Sequence, residues 1–203
     1  MTHIRHNEKV FIMNRLLLIF ILVFSIQNLT KADDIKDFQI AGMSIGDSAL
    51  DFFTKKEINN NKSYMYNNKK YAASYQDLEN NIYEGVQFEF KDNDDRFLIK
   101  SLGGKIFYKN INNCYAKEEM IVKSLTKIFK NKSEYKDHGI SKHQADSSGK
   151  SKGTWHTFFL DDGSGHISIE CMDWDKEMNY SDSLKVSIIS YELNQFLLNE
   201  AYK

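Results

Sequence analysis

The chain has 203 residues, with 27 basic and 28 acidic side chains and a formal net charge of −1 at pH 7. This balance gives no electrostatic footprint for nucleic acid or for an anionic lipid surface, because such partners are bound by clustered Lys and Arg. No metal, cofactor or catalytic motif stands out in the sequence, so a binding protein and a small enzyme are the two classes to weigh.

An apolar run of eleven residues, Leu16–Ile26, follows basic residues near the N-terminus. A membrane-spanning helix needs about 20 apolar residues, so this run is too short to be one. A basic flank, an apolar stretch of this length and a small residue at the cleavage point are typical of a secretory signal peptide. We predict that residues 1–32 are a signal peptide, cut between Ala32 and Asp33, with Met13 as a possible true start. A buried core helix and an uncleaved membrane anchor are the alternatives.

Cleavage predicts a periplasmic or extracellular protein and a more acidic mature chain. The leader removes four basic residues and one acidic residue, which leaves 23 basic and 27 acidic side chains and a net charge of −4 in residues 33–203. That length suits one domain with its own core. We expect no nucleic-acid partner and no stable membrane span after cleavage.

The start of the mature chain predicts a short helix and then a tyrosine-rich segment. A turn at Gly42–Ser48 leads into the helix, and Asn59–Asn61 ends it. Tyrosine combines a large apolar area with a polar tip, so the next segment could form an aromatic binding surface. Packing at the edge of the core is the alternative. The candidate binding residues are Tyr64, Tyr66, Tyr71 and Tyr75, within a possible surface at residues 64–83.

The segment Gly42–Phe53 resembles the glycine-then-helix opening of small envelope lipoproteins of the SmpA/OmlA type. In that family a pair of helices packs with a small antiparallel sheet, so the resemblance implies an envelope protein with an α/β unit. It covers a dozen residues, and the lipid-attachment cysteine of the family is missing here.

Alternating apolar residues predict a first hairpin. Val86, Phe88 and Phe90 alternate with polar residues up to a four-residue turn at Asp92–Asp95. Matching apolar faces sets the register, with Phe88 opposite Ile99.

The clearest helix is predicted after Asn112–Asn113. Ile121, Leu125 and Ile128 recur at helical spacing. Cys114 lies seven residues before Ile121 and therefore shares the apolar face of this helix.

A polar stretch follows, and then a second hairpin. Residues 131–153 predict a mobile loop, of which 139–153 is a second candidate binding surface. Thr154–Leu160 and His166–Met172 predict two antiparallel strands.

Pairing Leu160 with His166 would place His156 opposite Glu170 on a polar face. Cross-strand neighbours have Cβ atoms about 5 Å apart, so Glu170 could orient His156 as a general base for a nucleophile such as Ser168. A small envelope hydrolase is therefore the alternative function. A His–carboxylate pair is also ordinary on a solvent-facing strand, so no catalytic residue is assigned beyond these candidates.

The chain ends with an alternating strand, Leu184–Ile188, and a helix capped by Ser190. The order of elements predicts an α+β domain, an antiparallel sheet with helices packed on one face. Two tandem helix-plus-hairpin units are one arrangement that would give this order. Cys114 and Cys171 lie on apolar faces that should meet in one core layer. We predict a disulfide between them in an oxidising compartment, with two reduced thiols as the alternative.

Two acidic runs, Asp92–Asp95 and Asp161–Asp162, could ligate Ca²⁺ through their oxygens. Asp and Asn are also ordinary turn residues, and neither run has the pattern of a calcium-binding loop, so we predict no metal and no cofactor. The sequence favours an exported binding protein over an enzyme. Its partner would be another envelope protein or a small ligand.

Overall fold

The computed structural model describes residues 35–143 and 146–202. These residues form a single eight-stranded antiparallel sheet with three α-helices, so the fold is mostly sheet. The predicted signal peptide, its cleavage site and the alternative start lie outside the described residues.

The strands run antiparallel in the order β1-β2-β3-β4-β8-β7-β6-β5. The chain therefore forms two four-stranded meanders, one after α1 and one after α2, joined where β4 pairs with β8. The predicted repetition of helix and antiparallel strands is present, although each half holds four strands rather than a hairpin. The strands are β1 (Lys62–Ser63), β2 (Tyr71–Asp77), β3 (Gly85–Lys91), β4 (Ser101–Tyr108), β5 (Ser133–Lys142), β6 (Lys152–Leu160), β7 (Gly165–Asp173) and β8 (Asp182–Ser190), and the helices are α1 (Lys55–Asn60), α2 (Ile111–Ile128) and α3 (Tyr191–Asn199).

Helix α2 packs across the middle of the sheet, mainly against β7 and β8. We call this side of the sheet the α2 face. Helix α1 lies on it too, since the Ser74 hydroxyl of β2 donates a 3.1 Å hydrogen bond to the carbonyl of Ile58 in α1. Side chains at alternate strand positions fill the main core, as expected for a two-residue period. They include Val86, Phe88, Phe90, Leu102, Phe158, Ile167, Ile169, Leu184 and Ile188.

Helix α3 packs on the opposite side, which we call the α3 face. Its Leu193 and Phe196 form a second, smaller core with Tyr66 and Tyr71, and Ile189 packs against them. The hydroxyl of Ser190 accepts the Leu193 N–H, which confirms the predicted cap. The prediction that the helices pack on one face is therefore correct for α1 and α2 and wrong for α3.

Cys114 of α2 and Cys171 of β7 lie at disulfide-bonding distance, with Cα atoms 6.0 Å apart. Both are fully buried in the main core. This confirms the prediction that the two cysteines meet between the central helix and the sheet. The pair links residues 57 positions apart in the sequence.

The first hairpin differs from its predicted register. Phe88 lies opposite Leu102 rather than Ile99, because residues 92–100 form a long connection instead of a tight turn. The Asp94 carboxylate stabilises this connection by accepting the N–H groups of Arg96 and Leu98. Ile99 is still fully buried, but it reaches the core from the connection.

Two helix starts also differ from their predictions. The first α-helix begins at Lys55, after a 3-10 turn at Ala49–Asp51, and Thr54 and Glu57 form its capping box. Helix α2 is capped by Asn110, not by Asn112–Asn113. Gly42–Phe53 thus lacks the α-helix on which the family resemblance depended.

The predicted mobile loop contains an edge strand. Residues 133–142 form β5, which pairs only with β6 and is exposed along almost its whole length. An edge strand with little burial needs no alternation of apolar and polar residues, so no strand pattern appears in its sequence.

Candidate binding cavity on the α3 face

The register of β6 and β7 decides which residues share a face. Strand β6 ends at Leu160 and β7 begins at Gly165, so the connecting loop has four residues rather than the predicted five. Trp155 consequently lies opposite Glu170, and His156 lies opposite Ile169. The predicted register is wrong by one residue, which moves every β6 side chain to the other face.

His156 and Glu170 therefore lie on opposite sides of the sheet. On the α2 face, His156 Nδ1 is 2.8 Å from the Tyr135 hydroxyl and Nε2 is 3.8 Å from Glu118 Oε2. On the α3 face, Glu170 accepts a 2.8 Å hydrogen bond from the Ser168 hydroxyl. The proposed His–Glu pair does not form, and Ser168 donates its proton to Glu170 rather than to an imidazole. Glu170 is therefore not placed to orient His156.

Glu118 shows that the polar cluster around His156 has a structural role. This α2 carboxylate is almost completely buried and accepts hydrogen bonds of 2.7 and 2.8 Å from the Thr154 hydroxyl. Burial raises the pKa of Glu118, while the Thr154 hydrogen bond and the charge of His156 oppose that rise. Through Glu118 the cluster links α2 to Thr154 and His156 of β6.

A cavity of about 570 Å³ lies over β5–β8 on the α3 face. Its size falls within the range usual for small-molecule sites. The lining is mainly polar, with one indole, and includes the predicted candidates Ser168 and Glu170. The lining residues are His138, Ser141, Lys142, His143, Trp155, Thr157, His166, Ser168, Glu170 and Ile189.

Small side chains form a row across the sheet at this site. Thr157 lies opposite Ser168, and Ser168 lies opposite Ser187 on β8. The row continues to Gly103 of β4, where a Cβ atom would fall 2.8 Å from Lys185 Cε. The short side chains of Thr157 and Ser168 keep the sheet surface low at the cavity, whereas the Lys185 side chain covers the Gly103 end of the row.

Trp155 provides the one large flat surface in the cavity. Its ring lies over Gly153, where a Cβ atom would be 2.7 Å from Trp155 Cη2 and 2.9 Å from Met172 Sδ. The indole thus rests close to the backbone of its own strand, with the Met172 sulfur beside it. This arrangement depends on glycine at position 153.

His166 is buried at the cavity and has an incompletely satisfied ring. Among the described residues, its Nδ1 and the hydroxyl of Ser187 are the buried side-chain atoms without a hydrogen-bond partner. Burial lowers the pKa of His166 to about 4, against a smaller opposing effect of Glu170. The ring is therefore neutral at pH 7 and offers one donor and one acceptor.

His138 of the edge strand β5 also lines the cavity. Its Nε2 lies 3.1 Å from the Thr157 hydroxyl. Ser141, Lys142 and His143 of the predicted 139–153 surface also line the cavity. That part of the second candidate surface therefore belongs to this site.

The four candidate tyrosines do not share an open surface. Tyr66 and Tyr71 are buried in the small core under α3, where their hydroxyls donate to Glu89 and Glu192. Tyr64 is exposed and donates to Asp92. The ring of Tyr75 lies over Gly85 on the sheet.

Sequence reasoning missed Trp155, His138 and His166 as lining residues. The strict alternation along β7 places His166, Ser168 and Glu170 on one face and was a usable signal for His166. No such signal existed for His138, since nothing in its sequence surroundings predicts a strand.

Comparison of the chain with protein-family models, with curated proteins and with solved structures gave no match. Within residues 35–143 and 146–202, no cluster of three or more His, Cys, Asp or Glu side chains is arranged to hold a metal ion. No helix in that part of the chain is both long and apolar enough to cross a membrane.

Proposed function

We propose that the protein is an exported binding protein that takes a small, neutral, polyhydroxylated ligand, such as a sugar, in the cavity on the α3 face. The observation that supports this most is the combination of an indole surface with hydroxyl, carboxylate and imidazole groups in one cavity. His166 lines the cavity, and its buried Nδ1 has no partner among the described residues; the same holds for Oγ of Ser187, which lies next to the lining residue Ser168. Buried polar groups are nearly always hydrogen-bonded, so a bound ligand or a water is expected there.

The chemistry of the lining favours a sugar over an apolar ligand. The face of an indole carries negative charge density, which attracts the C–H groups on the apolar side of a sugar ring. The hydroxyls on the ring edge can then donate to Glu170 and exchange hydrogen bonds with the imidazole of His166 and with Thr157.

The charge of the lining favours a neutral ligand. Lys142 and Glu170 carry opposite charges, and His166 is uncharged at pH 7 because burial lowers its pKa to about 4. A strongly charged ligand would find no excess of opposite charge in this set of side chains.

Export is the second part of the proposal. Its support is the leader-like segment at residues 1–32 together with the Cys114–Cys171 pair at disulfide-bonding distance. Disulfides persist in oxidising compartments, so such a pair fits a periplasmic or extracellular protein. N-terminal sequencing of the protein recovered from the producing cell's exterior or periplasm should begin at Asp33. A cytosolic product that retains residues 1–32 would contradict this part.

Tryptophan fluorescence tests the ligand. The chain has two tryptophans, so the Trp174→Phe variant leaves Trp155 as the only reporter. We would titrate this variant with D-glucose, D-galactose, D-mannose and N-acetyl-D-glucosamine. At least one should give a saturable change in emission with a Kd of about 1 mM, which is the order expected for a weakly held small ligand.

A matched pair of serine variants assigns that signal to the cavity. Ser168→Ala in the Trp174→Phe background should weaken sugar binding at least tenfold. Ser124→Ala, a half-buried change in α2 on the other side of the sheet, should leave the affinity unchanged. Absence of saturable binding for all four sugars, or equal affinity in the two serine variants, would contradict the proposal.

A further inference from the structure

We infer that the protein has a second binding site, an apolar pocket on the α2 face that takes a neutral amphiphile with a short alkyl chain. The pocket has a volume of about 290 Å³, near the lower limit for small-ligand sites. It lies between the segment at residues 37–42, helix α2 and strands β7 and β8. This inference does not depend on the proposed function, because the two cavities lie on opposite faces of the sheet.

The interior of the pocket is almost entirely apolar. Strands β7 and β8 form its floor, and α2 and the segment at residues 37–42 form its walls. The apolar lining residues are Phe38, Ile40, Ala41, Ile82, Ile121, Leu125, Ile167, Val186 and Ile188, with Tyr83 beside them.

Tyr83 lines the pocket and lies beside Gly104 of β4. Gly104 lies opposite Val186 across β4 and β8. A Cβ atom at Gly104 would fall 2.4 Å from Tyr83 Cδ1, so the ring of Tyr83 lies directly against the backbone of β4. Burial raises the pKa of Tyr83 to about 12, which keeps its hydroxyl neutral.

The pocket reaches the surface rather than being closed inside the core. Ile167 and Ile188 at its floor are buried, whereas Gln39, Gly42 and Asn81 at its rim are exposed. Val186 is only half-buried even though its strand lies near the middle of the sheet beneath α2. A ligand can therefore enter from the side of residues 39–42 and reach Val186.

A space of this size is unusual in a well-packed core. Protein interiors contain few voids larger than a water molecule. Apolar cavities of about 150 Å³ remain dry and bind small apolar molecules such as benzene. The pocket here is larger and open to solvent, so filling it with an apolar chain removes apolar surface from water.

The polar residues at the rim of the pocket indicate which head group the ligand carries. Asp37 is the one charged residue in the lining, and the amides of Gln39 and Asn81 lie near it. Amides can hydrogen-bond a hydroxyl, whereas the described lining residues include no basic side chain that could neutralise a carboxylate head group. We therefore assign the site to an alkyl chain with a neutral hydroxyl head and not to a fatty acid.

Calorimetric titration of the mature chain with 1-octanol, 1-hexanol and octanoate tests this assignment. Each buried CH₂ contributes roughly a fourfold gain in affinity, so 1-octanol should bind roughly tenfold or more tightly than 1-hexanol. Octanoate has an anionic head and one fewer carbon in its alkyl chain than 1-octanol, and the missing carbon alone costs about fourfold in affinity. It should therefore bind at least about fortyfold more weakly than 1-octanol. An octanoate affinity within about fourfold of that for 1-octanol would contradict the choice of head group.

The Val186→Phe variant places the binding in this pocket. Its ring should fill the space and weaken 1-octanol binding at least tenfold. Circular dichroism and thermal unfolding would show whether the variant is folded. If it is not, the milder Val186→Leu variant should still weaken binding measurably, because it also reduces the space.

Ser168→Ala, on the α3 face, is the matched control and should bind 1-octanol like the parent chain. Sugar binding should show the reverse pattern, weakened at least tenfold in Ser168→Ala and unchanged in Val186→Phe, so the result at one site does not decide the result at the other. Unchanged 1-octanol binding in a folded Val186→Phe variant would overturn the inference.

Discussion

The indole of Trp155 rests over the backbone of Gly153, two residues away on the same strand. A Cβ atom at Gly153 would lie 2.7 Å from Trp155 Cη2. Alternate residues of a strand point to the same face, so positions 153 and 155 compete for the same space above β6. Glycine has no side chain, so the Trp155 ring can occupy that space. The shape of the cavity on the α3 face depends on this arrangement.

The Gly153→Ala variant should displace the indole and weaken the protein. A methyl group in this position would also fall 2.9 Å from Met172 Sδ, and overpacking of this kind costs about 1–3 kcal/mol of unfolding free energy. Urea denaturation would measure the loss, and Trp155 emission in the Trp174→Phe background would report the displacement. Lys152→Ala, an exposed change on the same strand, is the control and should alter neither. An unchanged emission spectrum in Gly153→Ala would contradict this account.

The Cys114–Cys171 pair should be oxidised in the exported protein. Thiol titration of the denatured, unreduced chain is expected to find no free thiol. For cysteines 57 residues apart, the chain-entropy model gives about 4 kcal/mol of stabilisation from the cross-link. Reduction should therefore lower the urea midpoint strongly. The Cys114→Ala/Cys171→Ala double variant is the control, since reductant should not change its midpoint. Two titratable thiols in the unreduced chain would rule out the bond.

His166 should make the protein less stable in mild acid. Burial lowers the pKa of His166 to about 4 in the folded chain, from an ordinary value of 6.5. The unfolded chain therefore binds a proton at a higher pH than the folded chain does. The stability contribution of neutral His166 is complete above pH 6.5 and is lost as the pH falls towards 4. Linkage gives about 1.4 kcal/mol per pH unit and about 3 kcal/mol over the whole interval.

The His166→Gln variant isolates this effect. Its unfolding free energy should fall less than that of the parent chain between pH 6.5 and 4. The difference between the two curves is the useful quantity, because other groups titrate in the same interval. Glu118 acts with the opposite sign, since burial raises its folded pKa and the folded chain then binds the proton more tightly. Parallel curves for parent and variant would show that His166 does not carry the acid sensitivity.

The two strands of the second hairpin explain what the sequence could and could not predict. Strand β7 alternates strictly, with Ile167 and Ile169 apolar and Ser168 and Glu170 polar, and its faces were predicted correctly. In β6, bulky apolar residues occupy both sets of positions, Trp155 on one and Phe158 on the other. The pattern therefore indicated no preferred core face for β6. The register that followed from an assumed five-residue loop then placed the wrong β6 face against the core.

Burial on both sides removed the strand signal from β2. Ala72 and Ser74 pack under α1 and the main core, while Tyr71 packs under α3. A strand covered on both faces shows no alternation, so this segment was predicted only as tyrosine-rich. The central helix and the cysteine pair were predictable, because helical spacing in α2 and alternation in β7 placed Cys114 and Cys171 on apolar faces without reference to any loop.

Removing the Ser187 hydroxyl should stabilise the ligand-free protein. Ser187 Oγ is buried without a hydrogen-bond partner among the described residues. A buried, unsatisfied polar group carries a desolvation penalty, so Ser187→Ala should raise the unfolding free energy by about 1 kcal/mol. Ser168→Ala, at the neighbouring position in the same cross-strand row, should do the opposite and lower it by about 1–2 kcal/mol, because Ser168 donates to Glu170. Urea denaturation of the two variants side by side measures the contrast. If Ser187→Ala is as destabilising as Ser168→Ala, the Ser187 hydroxyl is already satisfied, for example by an ordered water, and is not available to a ligand.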